Sequence, residues 1–241
     1  MCIIVAKPYG KKFPSFEAVN NCCTNNPDGF AFSVAQKGKK MKTFKSMDKA
    51  EFMKEYTAMV MKTPADKSTM VLHARIATHG SKNVDNCHGF LNDTGTLSFF
   101  HNGILSIKAR EDLTDSETFY RDIFLPIFNM HGLEAAKKAV HAVIGTSKFA
   151  FVDANAGLLL FGDYNTHEDC FYSNFTFQKY EPVVYNYGSY GYYGSGSQKS
   201  WDEYDDYDWE KNPKTGKWES PSWKFDDVTK RYYRPSLKQL S

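Results

Sequence analysis

The feature that most limits this chain lies at its start. Cys2 is followed at once by Ile3-Ile4-Val5, three β-branched apolar residues that favour an extended, buried strand over a helix. Such a strand can hold Cys2 rigidly. Removal of Met1 would leave one residue carrying both a nucleophilic sulfur and an α-amine, whose unperturbed pKa of roughly 7.7 to 8.0 suits general-base work near neutrality. Together they form a nucleophile for acyl transfer, the amine taking the thiol proton directly or through one water as sulfur attacks an amide carbonyl. A free cysteine usually behaves as a small buried apolar residue, so position 2 becomes chemistry only if partners for it occur elsewhere in the chain.

The bulk numbers remove several classes of partner. A length of 241 residues with 41% apolar and 24% charged residues describes a chain able to bury a proper core. A formal net charge of +2 gives no electrostatic footprint for nucleic acid or for an acidic membrane. Five cysteines, two of them adjacent at Cys22-Cys23 and none in CxxC spacing, make neither a disulfide framework nor a structural zinc site and point to a reducing compartment. No apolar run approaches the roughly 18 residues of a spanning helix, and the start lacks the basic region and long apolar core of a signal peptide. The expectation is a cytoplasmic protein.

Along the chain, Ser15 is placed to cap a short helix carrying Phe16, Val19 and Cys22. Asn25-Asn26-Pro27-Asp28-Gly29 predicts a tight turn with at least one positive φ. Phe30 to Val34 and Met41 to Phe44 read as a hairpin around Gly38, and Asp48 with Glu51 opens a helix to about Lys62. Thr69 to Ala77 reads as a buried strand interrupted by Arg75, a charge that is costly there unless something anionic meets it. Thr96 to Phe100 is another strand, ending in His101-Asn102-Gly103. Asp115-Ser116-Glu117 opens a long helix that Pro126 should bend, and Leu133 to Ile144 is a second helix. Lys148 to Val152 and Leu158 to Phe161 form a hairpin, and Cys170 to Phe177 a last alternating strand. Strands, then helices, then strands argue α+β with antiparallel pairing. After about Pro182 a Tyr, Gly and Ser tract and an acidic aromatic run replace the aliphatic residues. The division expected is a domain over 2–180 and a tail over 181–241 that is partly disordered, with at most a small hairpin.

Cys2, Arg75 within Arg75-Ile76-Ala77-Thr78-His79-Gly80, Asn102-Gly103 after His101, and Asp115 within Thr114-Asp115-Ser116-Glu117 occur in an order and spacing that resemble the glutaminase domain of class II glutamine amidotransferases, members of the N-terminal nucleophile hydrolases. Asn26-Pro27-Asp28-Gly29-Phe30 resembles the same family. The resemblance implies a four-layer αββα sandwich of two antiparallel sheets. It also implies hydrolysis of the side-chain amide of L-glutamine through a thioester on Cys2, with Asn102 and the Gly103 N–H as oxyanion donors. Arg75, Thr78, His79 and Asp115 would bind the substrate, Arg75 meeting its α-carboxylate and Asp115 its α-ammonium. Taken alone, Asp115 would be a helix N-cap, Asn102-Gly103 an ordinary hairpin turn and Arg75 half of a structural ion pair. His79 and His101 are expected to pack and hydrogen-bond the loops, and no cofactor or metal is expected.

The sequence departs from the family at Ile76, where amino-sugar-forming members usually place Trp, at Ala31, where Gly is frequent, and at Gly89, where Pro is common. The tail is too short and too poor in aliphatic residues to be a synthase domain, so ammonia would be released or passed to a separate acceptor subunit. Two other readings stay open: a hydrolase of another γ-glutamyl amide, and a catalytically silent scaffold that binds a partner through its aromatic tail.

Overall fold

The computed structural model describes residues 2–77, 82–111 and 113–179, together with the strand segments 210–211, 218–219, 224–226 and 231–233. The chain divides into two units, Met1–Val183 and Val184–Ser241. In the first, the elements run β1 (Ile3–Lys7), α1 (Phe16–Asn25), β2 (Phe30–Gln36), β3 (Lys42–Ser46), α2 (Lys49–Lys62), β4 (Ser68–Ala74), β5 (Phe90–Leu91) and β6 (Leu97–Asn102). Then come α3 (Asp115–Thr118), a π-helical segment (Phe119–Phe124), α4 (Leu125–Val143), β7 (Lys148–Asp153), β8 (Leu158–Phe161), β9 (Asn165–His167) and β10 (Cys170–Tyr172).

Two antiparallel sheets result, one ordered β3-β2-β4-β1-β10-β9 and the other β5-β6-β7-β8. The alternation of side chains along β1 shows how they stack. Ile3 and Val5 face one way, into a core with Val19 and Cys22 of α1, Phe52 and Tyr56 of α2, and Phe30, Phe32 and Leu72. Ile4 and Ala6 face the other way, into the space between the sheets, against Ala31, Val71, Phe100, Ala150 and Val152. Phe99, Phe149 and Phe151 on the far side of the second sheet pack on Phe119, Tyr120, Phe124 and Val140. The layers are therefore α, β, β, α. Each fully buried Ile or Val of β1 contributes about 1.5–3 kcal/mol, which anchors the strand that carries Cys2. The alanines between the sheets let them approach closely, and Ser33 and Ser98 join across that gap at 2.8 Å.

The expected caps form: Ser15 accepts from the Ala18 N–H and Asp48 from the Glu51 N–H. Other expectations need correction. The strand expected over 69–77 ends at Ala74, because Arg75 donates to the Gly29 carbonyl and accepts from the Asp28 N–H, so its pairing passes to the 25–29 turn. The bend expected at Pro126 is absorbed by the π-helical segment just before it, in which the Leu125 N–H reaches back five residues to Tyr120. The break falls instead at Gly132, with φ +78° and ψ −177°. The last strand stops at Tyr172 rather than Phe177, because Asn174 Oδ1 accepts from the Thr176 N–H and hydroxyl and turns the chain. The second unit holds two ladders, pairing Glu210–Lys211 with Trp218–Glu219 and Lys224–Asp226 with Arg231–Tyr233.

Candidate active site

Of the five cysteines, all free, only Cys2 is not buried. Burial pushes the Cys23 and Cys170 thiols up to about 12 and the Cys22 thiol well above its ordinary value, so none of these supplies a thiolate near neutrality. Cys2 Sγ lies 3.5 Å from the Ile76 carbonyl. Burial raises the Cys2 thiol too, with the Ile76 contact and the Arg75 charge pulling the other way. A thiol placed so needs a base beside it.

Arg75, 4% exposed, sits one residue past the end of β4, where β4 pairs Ala74 with Ile3 of β1. Its segment is clamped by Asp28, a residue of the turn at 25–29. Asp28 Oδ2 accepts from the Ala77 N–H at 2.9 Å, and Oδ1 meets Lys82 Nζ at 2.6 Å. The Lys82 contact and then the Ala77 N–H hold the Asp28 carboxyl below the usual carboxylate range. Gly29, at φ +124°, has no room for a Cβ, which would meet Cys87 Sγ at 2.5 Å. Thr78 and His79 lie outside the described residues.

Asn102 ends β6 and is 5% exposed. Its Nδ2 donates to Ser173 Oγ at 2.9 Å, and the same Oγ accepts from the Ile4 N–H at 2.8 Å. Asn174 Nδ2 donates to the Cys2 carbonyl at 2.6 Å. These bonds gather Cys2, Arg75 and Asn102 at one end of β1. Sequence reading missed Ser173 and Asn174 because nothing local distinguishes them: their partners lie 169, 71 and 172 positions away.

Gly103 takes φ +142°, and a Cβ there would meet Ser147 Cβ at 2.7 Å and Cα at 2.9 Å. Gly103→Ala is expected to cost at least about 1–3 kcal/mol from backbone strain alone, seen as a lower melting temperature. An unchanged melting curve would show that this loop has no need of glycine.

Asp115 is not the helix cap that its position suggested. Thr114 caps α3, accepting from the Glu117 N–H, and frees the Asp115 carboxylate for other work. Asp115 Oδ2 accepts from the Leu105 N–H at 2.8 Å and Oδ1 from the Ser116 N–H at 2.7 Å and hydroxyl at 3.1 Å. The carboxylate is thereby fixed beside the loop that follows Gly103. Ser116 Oγ also lies 2.7 Å from His101 Nδ1, and His101 edges against Phe149. Behind the site, His73, His88 and His101 lie nearly parallel, with ring centroids 4.2 and 6.0 Å apart. Among the described residues no group of three or more His, Cys, Asp or Glu is placed to hold a metal ion. A cavity of about 620 Å³ lined by Leu97, Phe124, Phe128, Phe151 and Leu159 shares no residue with this site. No helix among the described residues is long and apolar enough to cross a membrane.

Comparison with known proteins follows the same lines. The sequence model of the family described as "Glutamine amidotransferases class-II" matches residues 1–150. The glutamine–fructose-6-phosphate aminotransferase [isomerizing] of Streptococcus pyogenes serotype M3 is 34% identical over 102 residues, which cover 37% of this chain and 17% of that protein. The enzyme of the same name from Streptococcus pneumoniae serotype 4 is 32% identical over 100 residues, or 36% and 17%. The chain thus spans about one sixth of the length of these relatives. Among solved structures, the B. subtilis glutamine phosphoribosylpyrophosphate amidotransferase complexed with ADP and GMP gives a TM-score of 0.45 at 14% identity, covering 71% of this chain and 41% of that one. A glutamine aminotransferase class-II domain protein from Silicibacter pomeroyi gives 0.38 at 17%, covering 64% and 73%.

Proposed function

We propose, for a chain that belongs to the class II glutamine amidotransferases, that Cys2 cleaves the side-chain amide of free L-glutamine. The observation that carries this reading is the gathering at one end of β1 of the one unburied thiol, the Arg75 segment and the Asn102 carboxamide. After cleavage of the Met1–Cys2 bond, the Cys2 α-amine takes the thiol proton as the S–C bond forms. The oxyanion is met by Asn102 Nδ2 and the Gly103 N–H, donors typically worth about 2.7–4 kcal/mol apiece in the barrier. The C–N bond then breaks, the amine returns the proton to the leaving nitrogen, and ammonia departs from a γ-glutamyl thioester. Water attacks that thioester, giving glutamate and the regenerated thiol.

Arg75 can hold the α-carboxylate through its planar fork, which a lysine could not do. Asp115 Oδ2 keeps a lone pair after its bond to the Leu105 N–H, enough to accept from the α-ammonium. Ammonia is released or passed to an acceptor domain or subunit.

Intact-mass measurement is expected to show the chain without Met1 and, after treatment with the glutamine mimic diazo-oxo-norleucine, one adduct at Cys2. A chain that keeps Met1 and still turns over would remove the proposed base. Faster turnover of γ-glutamyl conjugates than of glutamine would move the substrate to that class.

A further inference from the structure

We propose that Ser173 is a positioning residue that aims the Asn102 carboxamide at the oxyanion and ties it in register with the nucleophile strand. The inference rests on the reading of Asn102 given above. Ser173 lies beyond the residues 1–150 that match the family, so the family match assigns it nothing. It is 1% exposed, and its backbone N–H donates to the Ile4 carbonyl at 2.9 Å.

Its hydroxyl oxygen spends both lone pairs, one on the Ile4 N–H and one on Asn102 Nδ2. Ile4 stands two residues from Cys2 in a fully buried strand, and Asn102 belongs to the other sheet. One oxygen therefore bridges the sheet that carries the nucleophile and the sheet that carries the oxyanion donor. An amide nitrogen has two hydrogens fixed in one plane. With one of them held by Ser173, the direction of the second is set, and that second hydrogen is the one available to substrate. Asn174, the next residue, braces the nucleophile itself, donating to the Cys2 carbonyl while its own Oδ1 is locked by Thr176. The arrangement fixes donor and nucleophile relative to each other before substrate arrives, which is where preorganised donors gain their effect.

The test uses the full-length chain with Ser173→Ala, Asn102→Ala, both together, and Ser173→Thr. Rates are counted per site titrated with diazo-oxo-norleucine, so that unfolded protein does not enter. Asn102→Ala is expected to lower kcat by about 10²–10³-fold. Ser173→Ala should lower it by about 10–10²-fold, the scale of a misplaced group, with KM for glutamine changed by less than about twofold. The double variant should be no slower than Asn102→Ala, and Ser173→Thr, which keeps the hydroxyl, should recover most of the rate. If Ser173→Ala does not accumulate folded, Ser173→Cys, only slightly larger than serine, weakens both hydrogen bonds and must show the same loss. An unchanged kcat per titrated site, or losses that multiply in the double variant, would overturn the positioning role. Parent-like turnover by Asn102→Ala would instead overturn the oxyanion reading on which it stands.

Discussion

Replacing Cys2 by alanine is expected to end ammonia release from glutamine, with kcat down at least about 10⁴-fold, while the protein keeps its fold. The chemical half of this expectation follows from the proposed covalent route: without sulfur no thioester can form, and donors at Asn102 and Gly103 could only assist a direct attack by water. The structural half follows from how little Cys2 Sγ holds in place. Its hydrogen-bond contact is the 3.5 Å approach to Ile76, and the strand behind it is anchored by Ile3, Ile4 and Val5, none of them exposed. Loss of one weak contact costs about 0.5–1.5 kcal/mol, a shift of a few degrees in melting temperature for a unit of this size. Ammonia release at the parent rate from Cys2→Ala would sink the assignment of the nucleophile, and a collapse in stability would show that Cys2 is a structural residue.

The second large effect is on acid stability. Burial pushes His73 down to about 3 and His101 to about 4, and holds His88 well below its ordinary value. Arg75 and Lys45 add to the cost of charging His73, while Asp115 opposes it at His101. In the unfolded chain these rings take up protons below about pH 6.5, and in the folded chain they stay neutral. The unfolded state therefore binds more protons between about pH 6.5 and 4, so stability is full above that window and falls as pH falls through it. Each neutral ring costs about 1.4 kcal/mol per pH unit. Part of the depression at His73 and His88 is repulsion from the neighbouring rings, so the three contributions are shared within the stack rather than simply added.

Depressed carboxylates such as Asp28 lose their contribution only below about pH 4, so the two windows separate. Melting temperatures measured from pH 7.5 to 4.5 should fall steeply below 6.5, and His73→Phe, which keeps a ring in the stack, should flatten the slope by about one proton. A melting temperature that is level between pH 7 and 5 would mean that the three rings are charged, or solvated, in the folded protein.

Much of this was decided by short stretches of sequence. The β-branched run after Cys2, the caps at Ser15 and Asp48, the turn that puts Gly29 at positive φ, and Asn102-Gly103 at the end of a strand each depend on neighbours within a few residues, where periodicity and turn chemistry operate. Tertiary structure decided what those residues face. Ser173 reaches Ile4 and Asn102 because β10 pairs with β1 and the second sheet packs over these strands, and no local pattern specifies that strand order. His73, His88 and His101 become a stack only when β4, the loop before β5 and β6 converge. Side-chain hydrogen bonds between positions 71 to 172 residues apart are fixed by which strands become neighbours, a choice made by burial of the whole core rather than by any one segment.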